Sequence, residues 1–404
     1  MTHTRMIVRW LMYLWAALAL IAPYAPAYAQ QPRPEIDKAV EYIRGQQQAD
    51  GSFAGFGPGS TADAIFALSA ANVNIAEIKK GNASPVDFLR AQAKAAGQDT
   101  GLAAKFVIAM LLAGQSPTAE GVDLTVDVQK GYNEQTAQYG KDVTAHAYAL
   151  IALVAAGQTP RPEAVEALKK LQLPDGGWSF DGTPATGSDT NTTALAVQAL
   201  KAARDTSDAI GKAVAYYRAQ QNADGGFPYS QSSQYGNASD ANSTALSIQA
   251  LIAAGEDLNN WAREGKTPAQ RLMAFQNASG AFRYQDAQPE DNVLATYQAI
   301  PALVGRTLPL EGIAIALPEQ PAGSPVPGPS GTPSPLPSGS PAPMPVPSGS
   351  PAPMPSGSPA PSSPPVGGIP AQLPNTGLID LTPVLALIGA LSLLTGFVAN
   401  RRRG

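Results

Sequence analysis

Two kinds of helical segment alternate along most of the chain. One kind is amphipathic: between residues 162 and 172 the apolar side chains recur at helical spacing and the charged ones take the opposite face. The other kind is apolar on nearly every side, as between residues 144 and 156, so it has no face for water. This alternation predicts two layers of helices, an outer layer against solvent and an inner layer that is buried.

Six such pairs follow one another. The amphipathic helices are predicted to begin near residues 35, 84, 122, 162, 208 and 267, and the apolar helices near residues 61, 100, 144, 193, 244 and 294. Four apolar helices are followed by a glycine that can end a helix in the left-handed conformation: Gly114, Gly157, Gly255 and Gly305. Repeats of this length form either an open solenoid or a closed double ring, and the periodicity leaves both open.

The turns within the helix pairs carry a repeated motif, Gln-x-x-x-Gly-x-aromatic. It occurs at Gln47/Gly51/Phe53, Gln172/Gly176/Trp178, Gln221/Gly225/Phe227 and Gln276/Gly280/Phe282. It resembles the QW motif of squalene and terpenoid cyclases, whose superfamily also holds prenyltransferase β-subunits, cobalamin carriers and macroglobulin thioester domains. The resemblance implies an all-α fold, an α/α toroid of six inner and six outer helices within residues 30–317, around a largely apolar cavity. We expect the Gln amide to satisfy backbone groups at a helix end and the ring to cover the turn.

The signature that such cyclases use for proton donation, Asp-x-Asp-Asp-Thr-Ala, is altered in this chain. In the family the central aspartic acid protonates an alkene or epoxide, which needs a carboxyl group kept neutral. At the matching positions this chain has Asp189, Asn191 and Thr192, and the second copy, which begins at Asp240, has Asn242 in the central place. An amide is not a useful acid, and one toroid is predicted where family cyclases generally have two. We therefore disfavour cyclase activity.

This chain lacks the residues that bind zinc or form a thioester in other members of the superfamily. Prenyltransferases of this fold hold zinc with Asp, Cys and His, but this chain has no Cys and only two His. His146 alone cannot complete a zinc site, so we predict no metal and no cofactor. His146 is a candidate general base, although a lone histidine on an apolar helix is more often a hydrogen-bonded core residue. Tyr148 does not share its helix face. The acidic candidates for catalysis are Asp63, Asp189 and Asp240.

Polar residues cluster just before the predicted inner helices. They are acidic or amide residues: Asp63, Asp99, Asp142, Asp189, Asn191, Asp240, Asn242, Asp291 and Asn292. Helix capping explains most of them. In a closed toroid these helix ends would also meet at one mouth of the cavity, beside loop aromatics, and such a mouth resembles a small-molecule or glycan site. The candidate ligand-binding residues are Asp189, Asn191, Asp240, Asn242, Trp178, Phe180, Tyr229, Tyr235 and Tyr284.

Both ends of the chain carry targeting patterns. Residues 1–29 have the pattern of a signal peptide, with Arg5 and Arg9, an apolar run and the cleavage pattern Ala27-Tyr28-Ala29. Residues 318–372 are rich in Pro, Ser and Gly and are predicted to form a disordered, extended stalk. Residues 373–404 resemble the sorting signal of Gram-positive surface proteins, with an apolar segment at 378–399 and a basic tail. The pentapeptide of that signal is Leu373, Pro374, Asn375, Thr376 and Gly377.

These patterns predict a secreted protein attached to the cell wall or to the outer face of the cytoplasmic membrane. The partner expected from the signal is a sortase, which would cleave after Thr376; the alternative is a plain membrane anchor through 378–399. Removal of both ends leaves 22 basic and 30 acidic residues of the chain's 27 and 31, a net charge of about −8. This acidic balance excludes nucleic acid as an expected partner.

Three hypotheses for the function follow. The favoured one is a non-catalytic binder of an apolar or amphipathic small molecule, terpenoid-like or corrinoid-like, or of an envelope glycan. Cobalamin carriers of the superfamily add a small β-domain where this chain has its stalk, which argues against a corrinoid. The second hypothesis is a cyclase-, prenyltransferase- or lyase-type enzyme that uses aspartates at the mouth of the toroid. The third is a structural spacer at the surface.

Overall fold

The structure is a computed structural model that describes residues 33–119, 121–233 and 236–310, which include all the predicted helical repeats. The predicted signal peptide, stalk and sorting signal lie outside the described residues, as does Tyr235. Within the described ranges, none of the helices combines the length and the apolar character needed to span a bilayer.

Outer and inner helices alternate along the chain, as predicted. The outer helices are α1 (Arg33–Gly45), α3 (Pro85–Ala96), α5 (Leu124–Lys130), α7 (Pro162–Lys170), α9 (Ala209–Gln220) and α11 (Pro268–Met273). The inner helices are α2 (Gly59–Ala70), α4 (Thr100–Leu112), α6 (Val143–Ala155), α8 (Thr190–Ala202), α10 (Ala241–Ala254) and α12 (Val293–Leu303). The inner helices are buried almost completely, which their lack of a polar face requires.

The inner helices form a closed ring. Each packs against the next one along the chain, and α12 packs against α2. Two hydrogen bonds join the last repeat to the first: Gln276 Nε2 donates to the carbonyl of Glu35 at 2.8 Å, and the Tyr297 hydroxyl donates to the carbonyl of Ala54 at 2.8 Å. The fold is therefore an α/α toroid, and the open solenoid that periodicity allowed is excluded.

All six inner helices are followed by a residue with positive φ. Gly114, Gly157, Gly255 and Gly305 have φ between 67° and 85°, which confirms their predicted role in ending helices. The other two ends use non-glycine residues in the same conformation: Asn72 after α2 and Arg204 after α8.

Three short antiparallel hairpins lie in the loops between helices. They pair β1 (Thr118–Ala119) with β2 (Val122–Asp123), β3 (Tyr132–Asn133) with β4 (Gln138–Tyr139), and β5 (Phe282–Gln285) with β6 (Gln288–Asn292). Single 3₁₀ turns occur at Ile75–Glu77 and Leu258–Trp261. These elements do not change the helical class of the fold.

The Gln-x-x-x-Gly-x-aromatic turns fasten neighbouring repeats together. In the turn with Trp178, Gln172 Nε2 donates to the carbonyl of Gly176 and to the carbonyl of Ala209 at the start of α9, both at 2.8 Å. Gly176 has a φ of 91°, and a Cβ there would collide with the carbonyl oxygen of Lys212, also on α9. The predicted structural role of the glutamine is confirmed, because its amide satisfies backbone carbonyls of two segments.

Candidate functional site

In five of the six inner helices, one repeated hydrogen bond shows which side of the helix faces outward. The backbone N–H of the turn aromatic donates to a side chain of the inner helix, as Trp178 N does to Thr193 Oγ1 at 2.9 Å. The acceptors at this position are Thr61, His146, Thr193, Thr244 and Thr296, at 2.9 to 3.1 Å. These side chains face outward, toward the turns. Since a helix turns roughly 100° per residue, the residue two positions later faces the axis of the ring.

The residues so placed form what we call the axial ring. With Lys105 of α4, which contacts one of them, its members are Asp63, Lys105, Tyr148, Leu195, Leu246 and Gln298. Leu246 and Gln298 are partly exposed although they lie in the middle of buried helices, as expected for side chains on an axial space. The charge of Asp63 on α2 also acts on Tyr148 of α6, a helix that α4 separates from α2.

An ion pair occupies one side of the axial ring. Lys105 Nζ lies 2.8 Å from both carboxylate oxygens of Asp63, and the two side chains are 4% and 14% exposed. The ammonium also lies 5.7 Å from the centre of the Tyr148 ring. Burial raises the pKa of Asp63, and the positive charge of Lys105 opposes that rise. Burial, with the charge of Asp63 as a smaller cause, raises the pKa of Tyr148, so its phenol stays neutral.

Asp63 lies at a different place in its helix than the sequence predicts, and Lys105 is a site residue that the sequence pattern did not predict. Asp63 was expected to precede its helix, but α2 begins at Gly59 and Asp63 lies within it. The expected position followed the capping pattern of the other repeats, which α2 does not share, because its cap residue, Pro58, has no side-chain cap. The signal for Lys105 was available: it is the only charged residue in α4, an otherwise apolar segment. A charge in such a segment needs a buried partner.

Amide side chains of α10 and α12 line another part of the axial space, next to α2 in the ring. On α10, Asn242, Leu246 and Gln249 recur at helical spacing along one face. Asn242 Nδ2 donates to Gln298 Oε1 at 2.8 Å, and Gln249 Nε2 donates to the backbone carbonyl of Gln298 at 3.4 Å. Asn191 holds the matching position on α8. The axial space is therefore mixed in polarity, whereas the resemblance implied a largely apolar cavity.

One end of the axial space is covered by the segment that follows α12. Gln198, seven residues after Asn191 on the same helix face, accepts a hydrogen bond from the backbone N–H of Leu308 at 2.8 Å. Thr307, Leu308 and Leu310 are buried. The repeated spacing of Asn191 to Gln198 and of Asn242 to Gln249 could have revealed these glutamines from the sequence.

The opposite end is the rim, where the inner helices begin. Most of the predicted capping residues do cap: the side chains of Asp99, Asp142, Asp189, Asp240 and Asn292 each accept from the backbone N–H three residues on, at 2.7 to 2.9 Å. Asp291 lies on β6 and instead accepts from Asn277 and Ser279 at 2.8 Å. Capping accounts for these carboxylates, with the exception of Asp291 and the intrahelical Asp63.

Three rim aromatics stand at equivalent positions, eight residues after the glutamine of their turns: Phe180, Tyr229 and Tyr284. The carbonyl of Phe180 accepts from Val143 N, and that of Tyr229 accepts from Thr190 N, each at 2.9 Å. Each of these two residues therefore lies at the start of the preceding inner helix. All three side chains are partly exposed.

Asp189 and Asp240 are protonated more readily than ordinary carboxyl groups. Both are 1% exposed, and burial raises the pKa of Asp189 to about 6 and that of Asp240 to about 7, against hydrogen bonds that favour the charged forms. Tyr229 is among the groups that lower the pKa of Asp189, although the buried Oδ2 makes no hydrogen bond of good geometry. Burial raises the pKa of Tyr284, and the charge of Asp240 adds to that rise.

Replacing Asp240 with Asn is expected to make stability less dependent on pH. The folded-state pKa of Asp240, about 7, lies above its unfolded value of about 4, so the folded state holds the proton longer and stability falls as pH rises through this window. Asparagine caps about as well as aspartate and does not titrate. Thermal unfolding midpoints of the variant and the parent chain at about pH 5 and about pH 8 check this. Relative to the parent chain, the midpoint of the variant should be higher at about pH 8 than at about pH 5. An unchanged pH dependence would contradict the assignment.

Two other candidates lie away from the axial space. Trp178 is fully buried, and its Nε1 donates to the carbonyl of Leu168 at 2.7 Å, so its ring fills the space between layers. His146 Nδ1 accepts from Tyr139 N at 3.0 Å, which leaves Nε2 as the donor to the carbonyl of Ala164 at 2.9 Å. Burial lowers the pKa of His146 to about 4. With both nitrogens engaged by backbone groups, this neutral imidazole takes the place that a threonine holds in other repeats.

Within the part of the chain that the structure describes, no group of three or more His, Cys, Asp or Glu side chains is placed to hold a metal ion.

Two family models match the chain. The squalene-hopene cyclase C-terminal domain matches residues 131–289, and the prenyltransferase alpha-alpha toroid domain matches residues 6–88. Drimenyl diphosphate synthase from Streptomyces showdoensis is 31% identical over 133 residues, which are 33% of this chain and 24% of the relative. The chain thus spans about a quarter of the length of the curated relative that it matches.

Among solved structures, a variant of the type II terpene cyclase MstE from Scytonema superposes with a TM-score of 0.50 at 14% identity. The match covers 69% of this chain and 97% of that chain. At this identity the likeness shows the fold, an α/α toroid. The family-model matches and the relative support the resemblance to the terpenoid cyclase and prenyltransferase superfamily that the turn motifs indicated.

Proposed function

We propose that this chain is a surface-attached binding module whose axial space takes a small molecule without transforming it. The observation that carries the proposal is the chemistry of the axial ring. Its one carboxylate, Asp63, is held in an ion pair with Lys105 at 2.8 Å, and the charge of Lys105 opposes the rise in the pKa of Asp63 that burial causes. At the place of the cyclase acid the chain has Asn191, an amide.

A cyclase-type enzyme is the second candidate, and two observations favour it. The chain is 31% identical to drimenyl diphosphate synthase over 133 residues. In addition, burial raises the pKa of Asp189 and Asp240 to about 6 and about 7, so these carboxyl groups hold protons near neutral pH. Against catalysis, both groups are 1% exposed and each accepts a hydrogen bond at a helix start.

Turnover assays separate the two candidates. The full chain would be incubated with farnesyl and geranylgeranyl diphosphate and with neutral oligosaccharides, and products would be followed by mass spectrometry. The binding proposal expects every compound to be recovered unchanged. Product formation that is lost in Asp189→Asn or Asp240→Asn, with Arg204→Gly as a surface control, would overturn it and establish the enzyme.

The location of the module is part of the proposal. Residues 1–29 direct secretion, 318–372 connect the toroid (30–317) to the sorting signal, and 373–404 attach it, either through sortase cleavage after Thr376 or through the segment 378–399. In Thr376→Ala the protein is expected to move from the covalent cell-wall fraction to the membrane fraction. Fractionation and immunoblotting measure this, with Ser358→Ala in the stalk as the control. Unchanged wall attachment of Thr376→Ala would refute sortase processing.

A further inference from the structure

We infer that the axial ring recognises a neutral, polyhydroxylated ligand such as a sugar unit rather than a hydrocarbon, an inference that rests on the proposed binding function. The axial space presents hydrogen-bond donors and acceptors from α10, α12, α2 and α4, which follow one another around the closed ring. The Asp63–Lys105 pair lies on the side of α2 and α4, and the amides of Asn242, Gln249 and Gln298 lie on the side of α10 and α12.

Hydroxyl groups match this arrangement because each donates one hydrogen bond and accepts others. The carboxylate of Asp63 accepts only, and the ammonium of Lys105 donates only. A sugar hydroxyl can therefore donate to Asp63, the more exposed member of the ion pair, without separating it from Lys105. On α12, which packs against α2, Gln298 uses Oε1 and its backbone carbonyl as acceptors, and its Nε2 donates no hydrogen bond within the described residues.

A hydrocarbon ligand would be poorly matched to the same groups. It would remove water from the partly exposed Asp63 and Gln298 and offer no hydrogen bond in return. A buried polar group left without a partner is unfavourable, and more so if it is charged. The apolar members of the ring, Leu195 and Leu246, are too few to offset this cost, and they suit the C–H faces of a sugar ring.

The route to the ring leads past the aromatic rim. Leu308, held by Gln198 at 2.8 Å, covers the other end, so we place the entry of a ligand at the rim. Phe180, Tyr229 and Tyr284 are partly exposed there. An aromatic side chain offers an apolar face, and tyrosine adds a polar tip, which suits a ligand with both C–H faces and hydroxyls.

Isothermal titration calorimetry on the full chain in detergent tests the inference. The probes are cellobiose, maltose and chitobiose as neutral sugars, with farnesol and cyanocobalamin as the competing classes. We expect saturable binding of at least one sugar. Gln298→Leu should weaken it roughly tenfold and Asp63→Asn by roughly tenfold or more, as expected for the loss of a neutral and a charged hydrogen bond.

The controls distinguish a lost contact from a lost fold. Arg204→Gly changes an exposed residue with a φ of 58° outside the axial ring and should leave sugar affinity unchanged. Gln298→Leu tests the ring even if Asp63→Asn fails to fold, since Gln298 is not part of the ion pair. Binding of farnesol or cyanocobalamin without any sugar would overturn the inference and leave the proposed binding function standing. Absence of sugar binding would overturn the inference. Turnover of any compound would refute the proposed binding function itself.

Discussion

Replacing Lys105 with Met is expected to lower the free energy of unfolding by about 3 kcal/mol, because it leaves the carboxylate of Asp63 without its counter-charge. Removal of one partner of a buried pair costs about 3–5 kcal/mol, and the remaining 14% exposure of Asp63 favours the lower end. Methionine fills most of the volume of the lysine stem, so lost packing contributes little. Urea unfolding followed by circular dichroism measures the effect.

A matched double variant separates the ion pair from packing. Lys105→Met combined with Asp63→Leu should recover most of the lost stability, since apolar replacements of a buried pair are often neutral or stabilising. The loss in the single variant should also shrink in acid, because burial raises the pKa of the unpaired Asp63 and the protonated group carries no charge. A single variant as stable as the parent chain would contradict the buried ion pair.

Replacing Gly176 with Ala is expected to destabilise the fold by about 2–5 kcal/mol, the second large effect. Its φ of 91° is unfavourable for any residue with a Cβ, and this costs roughly 1–2 kcal/mol. The added Cβ would also collide with the carbonyl of Lys212, and overpacking costs roughly 1–3 kcal/mol more. The turn could not keep its hydrogen bonds to α9 without moving that helix.

Gly157 provides the control for backbone strain alone. Its φ is 73°, and no atom lies within 4 Å of an added Cβ. Gly157→Ala should therefore cost only roughly 1–2 kcal/mol. Thermal and urea unfolding of both variants gives the comparison. Equal losses of stability in Gly176→Ala and Gly157→Ala would mean that the turn at Gly176 is not in close contact with α9.

The helices were predictable from the sequence because each layer has its own polarity pattern. Amphipathic and wholly apolar segments differ strongly, and every observed helix start lies within a few residues of its predicted position. The turn motifs were also readable, since a glutamine, a glycine and an aromatic recur at fixed spacing. Closure of the ring was not readable from periodicity, because it depends on contacts such as that between Gln276 and Glu35, far apart in sequence.

The candidate site was less predictable for a physical reason. A helix that is apolar all round has no hydrophobic direction, so its pattern does not tell which residues face the axis. Asn191 and Asn242 were found through the altered acid motif, but Lys105 and Gln298 were not. The orientation of His146 was unpredictable for the same reason. Its two ring nitrogens bind backbone groups on the outward side of the helix, which the sequence pattern does not indicate.

In the proposed function the axial ring holds a ligand and does not transform it. Native mass spectrometry of the full chain, purified from its host in mild detergent, tests this directly. We expect one bound molecule per chain on the parent protein, a much smaller bound fraction on Gln298→Leu, and an unchanged ligand mass after prolonged incubation. A parent chain with no bound molecule, or a bound mass that is converted to another during incubation, would contradict the proposed binding function.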